Sequence, residues 1–410
     1  MTNYFFIDEK NNVYKSYDDL LKDINDTKEL NSLVDFSEYY EIFKAIIISI
    51  IYEKKIIILD NELSEIERKL LLEETDIPNN SYVLDKKFET IGNILEAVYF
   101  AQSWELTLFT SGTTGKPKMV KHNIKSLCRQ VKTGEKYREN IWGYAYHPSH
   151  IAGIQVFLQA LFNQNLIIRL FGIPGKMITK LIETYNITHL SATPTFYRLL
   201  LTDNIILDKV LRISVGGERF DSHTMEKIKK MFPNAKILNI YASTEAGTIF
   251  ASKGDTFTVR EGDDNFIRIV NGELQIHEKL LGDFDRSKNF QDHWYSTGDL
   301  VEIEQSQPLK FKIVSRKSEM INVGGYKVNP GEVENCIREM PEVKEVRVFG
   351  KKNSVVGNII CAEIIIKSGN ISETDIRHFL LNKLQDFKIP RVIRFVDSFN
   401  LTHTGKLKRA

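Results

Sequence analysis

Short β-branched runs alternate with amphipathic stretches over the first 240 residues, and this alternation sets the expected fold. Residues 54–59, 166–170, 189–192, 211–214 and 236–240 are apolar runs of strand length. Between several of them, stretches such as 177–185 and 222–232 repeat their apolar residues at the helical period. Strands separated by helices pair in parallel, so the pattern predicts largely parallel sheets covered by helices. The most apolar stretch, 42–59, is broken by Lys44, Glu53, Lys54 and Lys55, too often for a bilayer span. It reads instead as a helix leading into a buried strand.

From 256 to 313 the texture changes to short strands with Asn-Gly, Glu-Gly and Leu-Gly turns, which predicts a β-rich section. Asn271-Gly272 lies between FIRIV and ELQI, a two-residue hairpin signal. Beyond Arg316, strand-like 344–349 and 359–366 mix with helix-like 330–340 and 373–384, followed by a basic tail. The expected fold class is therefore an α/β large N-terminal domain, 1–316, with mostly parallel sheets covered by helices plus the β-rich section. A small α+β C-terminal domain, 317–410, completes it. The join near 315–318 is short, which couples the two.

Charge and cysteine content narrow the function classes. Among 410 residues, 55 Lys and Arg face 54 Asp and Glu, so no global field draws the chain to nucleic acid or an anionic membrane. Neither is expected as a partner, and any anion site must be local. Cys128, Cys336 and Cys361 are dispersed, with no C-x-x-C or Cys/His cluster, which suits a reducing compartment. The start, MTNYFFIDEK, lacks the basic, apolar and small-residue regions of an export signal, so a cytoplasmic location is expected.

Residues 108–118, LFTSGTTGKPK, carry the densest chemistry. Gly112 and Gly115 let backbone N–H groups approach an anion. Thr110, Ser111, Thr113 and Thr114 add hydroxyl donors, Lys116 and Lys118 add charge, and Pro117 limits rearrangement. The P-loop pattern fails here: Thr110 stands where it needs glycine, and Pro117 follows Lys116 where it needs a hydroxyl. A basic surface loop is the bland alternative.

Four further segments follow in order: YASTEAG at 241–247, YSTGDL at 295–300, SRKSEMINVGGYKVNPGEVE at 315–334 and LTHTGKLKR at 401–409. With the loop, they resemble the adenylate-forming superfamily of acyl- and aryl-CoA synthetases, carrier-protein-loading adenylation domains and luciferases. The resemblance implies that a carboxylate attacks the α-phosphate of ATP, pyrophosphate leaves, and a thiol then takes the acyl group. Crowded negative charge obstructs that step, which is why cations and backbone donors are wanted.

On this resemblance Thr110, Ser111, Gly112, Thr113, Thr114, Gly115, Lys116 and Lys118 hold the β- and γ-phosphates. Tyr241 lies against adenine with Ala242 and Ser243 beside it, and Thr244 bonds a phosphate oxygen. Glu245, with Thr113, holds magnesium, which prefers oxygen ligands. Asp299 accepts the ribose hydroxyls, Arg316 bonds ribose or phosphate, and Lys406 reaches the α-phosphate from the small domain. Gly216, Gly217 and Glu218 form the wall between adenine and the acyl pocket. Taken singly, Tyr241 suits a core aromatic, Glu245 a solvated carboxylate, Asp299 a turn cap and Lys406 a solvated tail charge.

The same resemblance implies a second reaction. The small domain swings about Ser318, withdraws Lys406 and presents Gly324, Gly325 and Tyr326 beside a pantetheine tunnel; a glycine turn in a hairpin is the alternative. Ala242, Ser318 and Asn400 depart from the family pattern. Only 107 residues precede the first motif, so an abbreviated N-terminal subdomain is expected.

His147, His150 and Gly153 in HPSHIAGIQVF, Thr193 in SATPTF and Gly247 fall where relatives line the acid pocket. Trp142, Tyr144, Phe157 and Phe196 are flat apolar wall candidates and equally core candidates. Small residues with alternating aromatics favour a planar aryl acid over a long acyl chain. The compact architecture is similar to ligases that load acids onto a separate phosphopantetheinyl carrier protein, and 3,4-dihydroxybenzoate in siderophore biosynthesis is one suggestion. The enzyme alternative is an acyl- or aryl-CoA ligase using free coenzyme A. A regulator that binds nucleotide without catalysis would lack Lys406, Glu245 or Asp299, and all three are present.

Overall fold

The computed structural model describes residues 3–60, 65–73, 80–110, 118–201, 205–218, 220–287, 289–323, 326–353, 357–367 and 371–399. The apolar runs build one eight-stranded sheet. Its order is Gly247–Ser252, Lys236–Ser243, Arg212–Gly216, His189–Ala192, Ile141–Tyr144, Leu166–Arg169, Tyr4–Asp8 and Val13–Ser16. The six inner strands are parallel and the two edge strands antiparallel.

Period-2 alternation sends side chains to two separate cores. Phe6 and Ile167 face a cluster under helices Tyr39–Ile51 and Ile151–Phe162. Their neighbours Ile7 and Ile168 face a cluster under Gly175–Thr184, Pro194–Leu200 and Ser222–Met231. Burial on both faces is what a parallel sheet requires.

The 42–59 stretch resolves into helix Tyr39–Ile51 and buried strand Ile56–Ile58. That strand joins a second sheet with Glu105–Thr110, Lys118–Asn123, Asp283–Phe284 and Leu33–Val34. No helix among the described residues is long and apolar enough to cross a membrane.

The β-rich section forms a six-stranded sheet. Its Asn-Gly hairpin joins Ile267–Val270 to Glu273–His277 in the register Val270↔Glu273. Asn271 and Gly272 have φ of 52° and 74°, the pair of positive values that a tight turn matched to strand twist needs. After Arg316, strands Ile321–Val323, Tyr326–Val328, Val343–Asn353, Gly357–Ile366 and Val392–Phe395 form a separate sheet. Helices Pro330–Arg338 and Glu373–Leu381 contribute Val333, Ile337, Ile376 and Leu380 to its own core.

Three details differ from the expectation. Tyr4–Asp8 is a strand of the main sheet, paired with Leu166–Arg169. The strand expected at 344–349 extends through Val343–Asn353, because its polar end continues a hairpin with Gly357–Ile366. The two C-terminal helices stop at Arg338 and Leu381. The three cysteines are free.

Candidate active site

Strands Glu105–Thr110 and Lys118–Asn123 are antiparallel partners in the register Thr110↔Lys118. Ser111, Gly112, Thr113, Thr114, Gly115, Lys116 and Pro117 lie outside the described residues, as does the Thr110 side chain. Lys118 therefore emerges from a strand end, and its ammonium sits 2.9 Å from Glu245 Oε1. It also lies 3.7 Å from the Phe284 ring centre and 4.8 Å from that of Tyr295, whose hydroxyl donates to the same Glu245 oxygen at 3.1 Å.

Burial pushes the Glu245 carboxyl up, but the charge and hydrogen bond of Lys118 and the Tyr295 hydroxyl prevail, holding it below the usual range. Glu245 is thus an ionised carboxylate in an apolar frame. Two contacts fix its backbone. His122 Nε2 lies 2.7 Å from the Thr244 carbonyl, so that nitrogen carries the proton and donates; burial pushes the His122 pKa down. The Gly282 amide donates to the Glu245 carbonyl at 2.7 Å.

A second cluster adjoins the first through strands Lys236–Ser243 and Trp294–Ser306. The Tyr241 hydroxyl donates to Asp299 Oδ2 at 2.7 Å, and Arg316 Nε lies 3.2 Å from Asp299 Oδ1. Asp299 and Arg316 are direct cross-strand neighbours. Tyr241 is 8% exposed and Asp299 7%, and the Tyr241 ring packs among Phe250 and Phe257. The tyrosine thus belongs to the core by its ring and to the site by its hydroxyl. The turn before Asp299 is tied down as well: the Gly298 amide donates to Glu273 Oε1 at 2.9 Å, and Lys317 reaches Glu273 Oε2 at 3.1 Å.

Ala242 and Ser243 continue the strand through a register shift, paired with Thr248 and Gly247. Gly216 runs alongside Ile240, where a Cβ would stand 2.9 Å from the Ile240 carbonyl, and Gly217 turns the chain at φ 85°. Glu218 then accepts from the Thr195 amide at 3.1 Å and hydroxyl at 2.7 Å. Ser318 occupies a single 3-10 turn, Lys317–Glu319, directly after Arg316. Tyr326 is exposed and stacks on Phe387 at 4.6 Å, at the edge of a groove of about 250 Å³ also lined by Val323, Ile359 and Arg391. Gly324, Gly325 and Lys406 lie outside the described residues.

The acid-pocket candidates gather around helix Ile151–Phe162. His150 is its N-cap residue, and buried His147 pairs its Nδ1 with the Ser149 hydroxyl at 2.7 Å. Gly153 faces the Tyr144 hydroxyl so closely that a Cβ would meet it at 2.4 Å. Gly247, at φ 66°, backs onto the Gln155 amide, whose oxygen accepts from the Thr248 hydroxyl at 2.9 Å. Thr193 caps helix Pro194–Leu200 by accepting from the Phe196 amide at 3.2 Å. Phe157 stacks on Phe43 at 4.4 Å and Tyr144 meets the same ring edge-on, so both are core. Trp142 is also core, donating to Asn165 Oδ1 at 3.2 Å.

Tyr295, His122, Glu273 and Gln155 received no role from the sequence. Tyr295 opens the YSTGDL segment, and His122 shares a strand face with Lys118 at period 2. That face becomes legible once 118–123 is read as strand.

Comparison with known proteins agrees with this geometry. The AMP-binding enzyme model matches residues 55–267, and the AMP-binding enzyme C-terminal domain model matches 332–406. A mitochondrial medium-chain acyl-CoA ligase of Rattus norvegicus is 26% identical over 344 residues, 73% of this chain and 55% of the relative. The oxalate–CoA ligase of Saccharomyces cerevisiae is 28% identical, with 76% and 63% covered. The chain thus spans little more than half the length of the curated relatives it matches. Among solved structures, the Bacillus subtilis o-succinylbenzoate CoA synthetase in complex with its acyl-adenylate superposes with a TM-score of 0.72 at 19% identity, covering 99% of this chain and 94% of that one. That likeness shows the fold, a large N-terminal domain followed by a small C-terminal one. With a model match across more than half its residues, the chain belongs to the AMP-binding enzyme family.

Proposed function

We propose that the protein activates a carboxylic acid with ATP, releasing pyrophosphate and forming an acyl-adenylate, and then passes the acyl group to a thiol. The acid's oxygen bonds the α-phosphorus as the bond to the pyrophosphate leaving group breaks. The thiol sulfur next bonds the acyl carbon, AMP leaves, and the thiol proton passes to solvent. The observation that carries this reading is the pair of adjoining clusters. Asp299 with Tyr241 and Arg316 offers a buried carboxylate to the ribose hydroxyls, next to Glu245 with Lys118 and Tyr295 on the phosphate side.

Glu245 fits magnesium on its own chemistry: it is an ionised oxygen donor, the hard ligand type this cation takes. Thr113 would add a hydroxyl, and the Thr244 hydroxyl would bond a phosphate oxygen. When bound, magnesium offsets negative charge on the leaving phosphates. Lys118 and Lys116 would supply fixed positive charge, with Ser111, Gly112, Thr114 and Gly115 donating hydrogen bonds. Gly216, Gly217 and Glu218 would wall the adenine. Lys406 would reach the α-phosphate for the first step, and a swing about Ser318 would exchange it for Gly324, Gly325 and Tyr326 in the second.

The proposed acid is short and planar, of the aryl class. Tyr144, Phe43 and Phe157 fill the space behind Gly153, and Gln155 backs Gly247, which leaves little depth for a long acyl chain. The proposed acceptor is a phosphopantetheine thiol on a carrier protein. Free coenzyme A is the second reading, favoured by the naming of the rat and yeast relatives as CoA ligases.

A pyrophosphate-exchange panel of benzoates, hydroxybenzoates including 3,4-dihydroxybenzoate, fatty acids and amino acids tests the first step; competition between coenzyme A and carrier protein tests the second. Lys406→Ala is expected to slow exchange by on the order of a hundredfold, as loss of a transition-state charge contact does. Transfer from supplied acyl-adenylate should suffer much less. Exchange with none of the acids would point instead to a nucleotide-binding regulator.

A further inference from the structure

A third ionic cluster crosses between the two domains. Arg198, on helix Pro194–Leu200 of the large domain, donates from Nε to Glu345 on strand Val343–Asn353 of the small one. Arg338, at the end of helix Pro330–Arg338, donates to the other Glu345 oxygen at 2.9 Å. Glu345 is fully buried, and both arginines are below 10% exposed. An isolated charge in such a place is strongly disfavoured, so this carboxylate is held by its two guanidiniums together.

The large-domain end of the cluster leads to the wall segment. Arg198 Nη2 donates to the Thr195 hydroxyl at 2.8 Å, and that hydroxyl donates onward to Glu218 at 2.7 Å. The single Thr195 hydroxyl proton and one of its lone pairs are thereby both committed, which gives the relay one direction. Arg198 Nη2 also lies 3.4 Å from Glu218 and Nη1 lies 3.8 Å from Asp221.

The contact is also built to part. Without Glu345, Arg198 retains Thr195, Glu218 and Asp221 on its own domain. Without Arg198, Glu345 retains Arg338 and the Val346 amide at 2.9 Å, and Arg338 retains Glu334 at 3.5 Å. Neither side is left with an unpaired buried charge, so separation avoids the penalty that makes most buried pairs permanent.

We propose that Arg198 is a positioning residue that links the placement of Glu218 in the adenine-side wall to the placement of the small domain, through Thr195 on one side and Glu345 on the other. This rests on the proposed function, in which Gly216–Glu218 borders the nucleotide. Coupling between two sites is reciprocal, so the link is readable from either end.

From the small-domain end, Glu345→Gln keeps the shape but sets an amide donor against one guanidinium. The dissociation constant for ATP, by titration calorimetry, is expected to rise about tenfold, although residue 345 lies on the other domain. From the large-domain end, Thr195→Val removes the relay hydroxyl at constant shape. Pulsed electron–electron distances between spin labels on unnatural residues at exposed positions 180 and 394 should then broaden or gain a second population. An ATP affinity within twofold of the parent in a folded Glu345→Gln protein, or an unchanged distance distribution in Thr195→Val, overturns the link. If Glu345→Gln does not fold, the Thr195→Val distances decide. Failure of the parent itself to bind ATP would count against the proposed function, and the distances would still test the link.

Discussion

Asp299→Asn is the sharpest perturbation of the candidate site, because the structure fixes what the amide can replace. Both carboxylate oxygens are engaged, Oδ2 by the Tyr241 hydroxyl at 2.7 Å and Oδ1 by Arg316 at 3.2 Å. The amide must keep its oxygen toward Arg316, a pure donor, and turn its nitrogen toward Tyr241, whose hydroxyl can accept. The fold therefore survives with a rotated hydroxyl and with the partly exposed ion pair reduced to a hydrogen bond from Arg316 to the amide oxygen, and the melting temperature should drop by a few degrees. The ribose loses more. Of two charge-assisted bonds, one loses its acceptor outright, about 1.5–3 kcal/mol, and the other becomes neutral, about 1 kcal/mol. The sum, roughly 2.5–4 kcal/mol, predicts a fall in kcat/KM for ATP of about seventyfold to a thousandfold in pyrophosphate exchange. A fall below tenfold with the melting temperature preserved would refute the ribose assignment. So would a loss confined to the KM of the acid.

Lys118→Met removes the charge that keeps Glu245 ionised and leaves burial to push that carboxyl up, so the acid limb of the exchange-rate pH profile should move to higher pH; an unmoved limb would disprove the pairing. His189, packed on Trp142 at 4.9 Å, has its pKa pushed down to about 4 by burial and the nearby charge of Arg212. The unfolded chain binds this proton near pH 6.5 and the folded one near 4, so stability present above 6.5 falls by about 3 kcal/mol as pH drops through that window. His189→Phe should flatten the dependence of the urea midpoint on pH there, and an equally steep dependence would contradict the buried-neutral assignment. Gly153→Ala places a Cβ 2.4 Å from the Tyr144 hydroxyl and 2.9 Å from the His147 carbonyl, so a loss of about 1–3 kcal/mol is expected in urea unfolding.

What the sequence made legible is what local rules encode. Alternation between β-branched runs and helical stripes placed four of the six inner strands of the main sheet, and Asn271-Gly272 placed the hairpin of the β-rich sheet to the residue. The motif segments located Tyr241 and Asp299. Long-range partners were not legible: strand Tyr4–Asp8 pairs with Leu166–Arg169, and no local pattern in YFFID announces a partner so far along the chain. Glu345 sits in KEVRV, which reads as a charged residue on a strand surface. A register shift beside it and arginines 147 and 7 residues away bring it inside. Lys118 was legible as a cation but not as the end of a strand, so its pairing with Glu245 and the place of Tyr295 and His122 stayed hidden.

The polar groups of the site partner one another, and this constrains how a nucleotide would enter. Tyr241 holds one Asp299 oxygen and Arg316 the other, so a nucleotide would meet a carboxylate that is already oriented. Less rotamer freedom is thereby lost on binding. Glu245 differs, since Lys118 and Tyr295 both converge on Oε1. A cation shared with that oxygen would bring positive charge against the Lys118 ammonium, which must then turn toward the phosphates. In the proposed chemistry the nucleoside would stay through adenylation while pyrophosphate departs, so an Asp299 carboxylate held by Tyr241 and Arg316 would suit the part that stays, and a Lys118–Glu245 pair that can exchange partners the part that leaves.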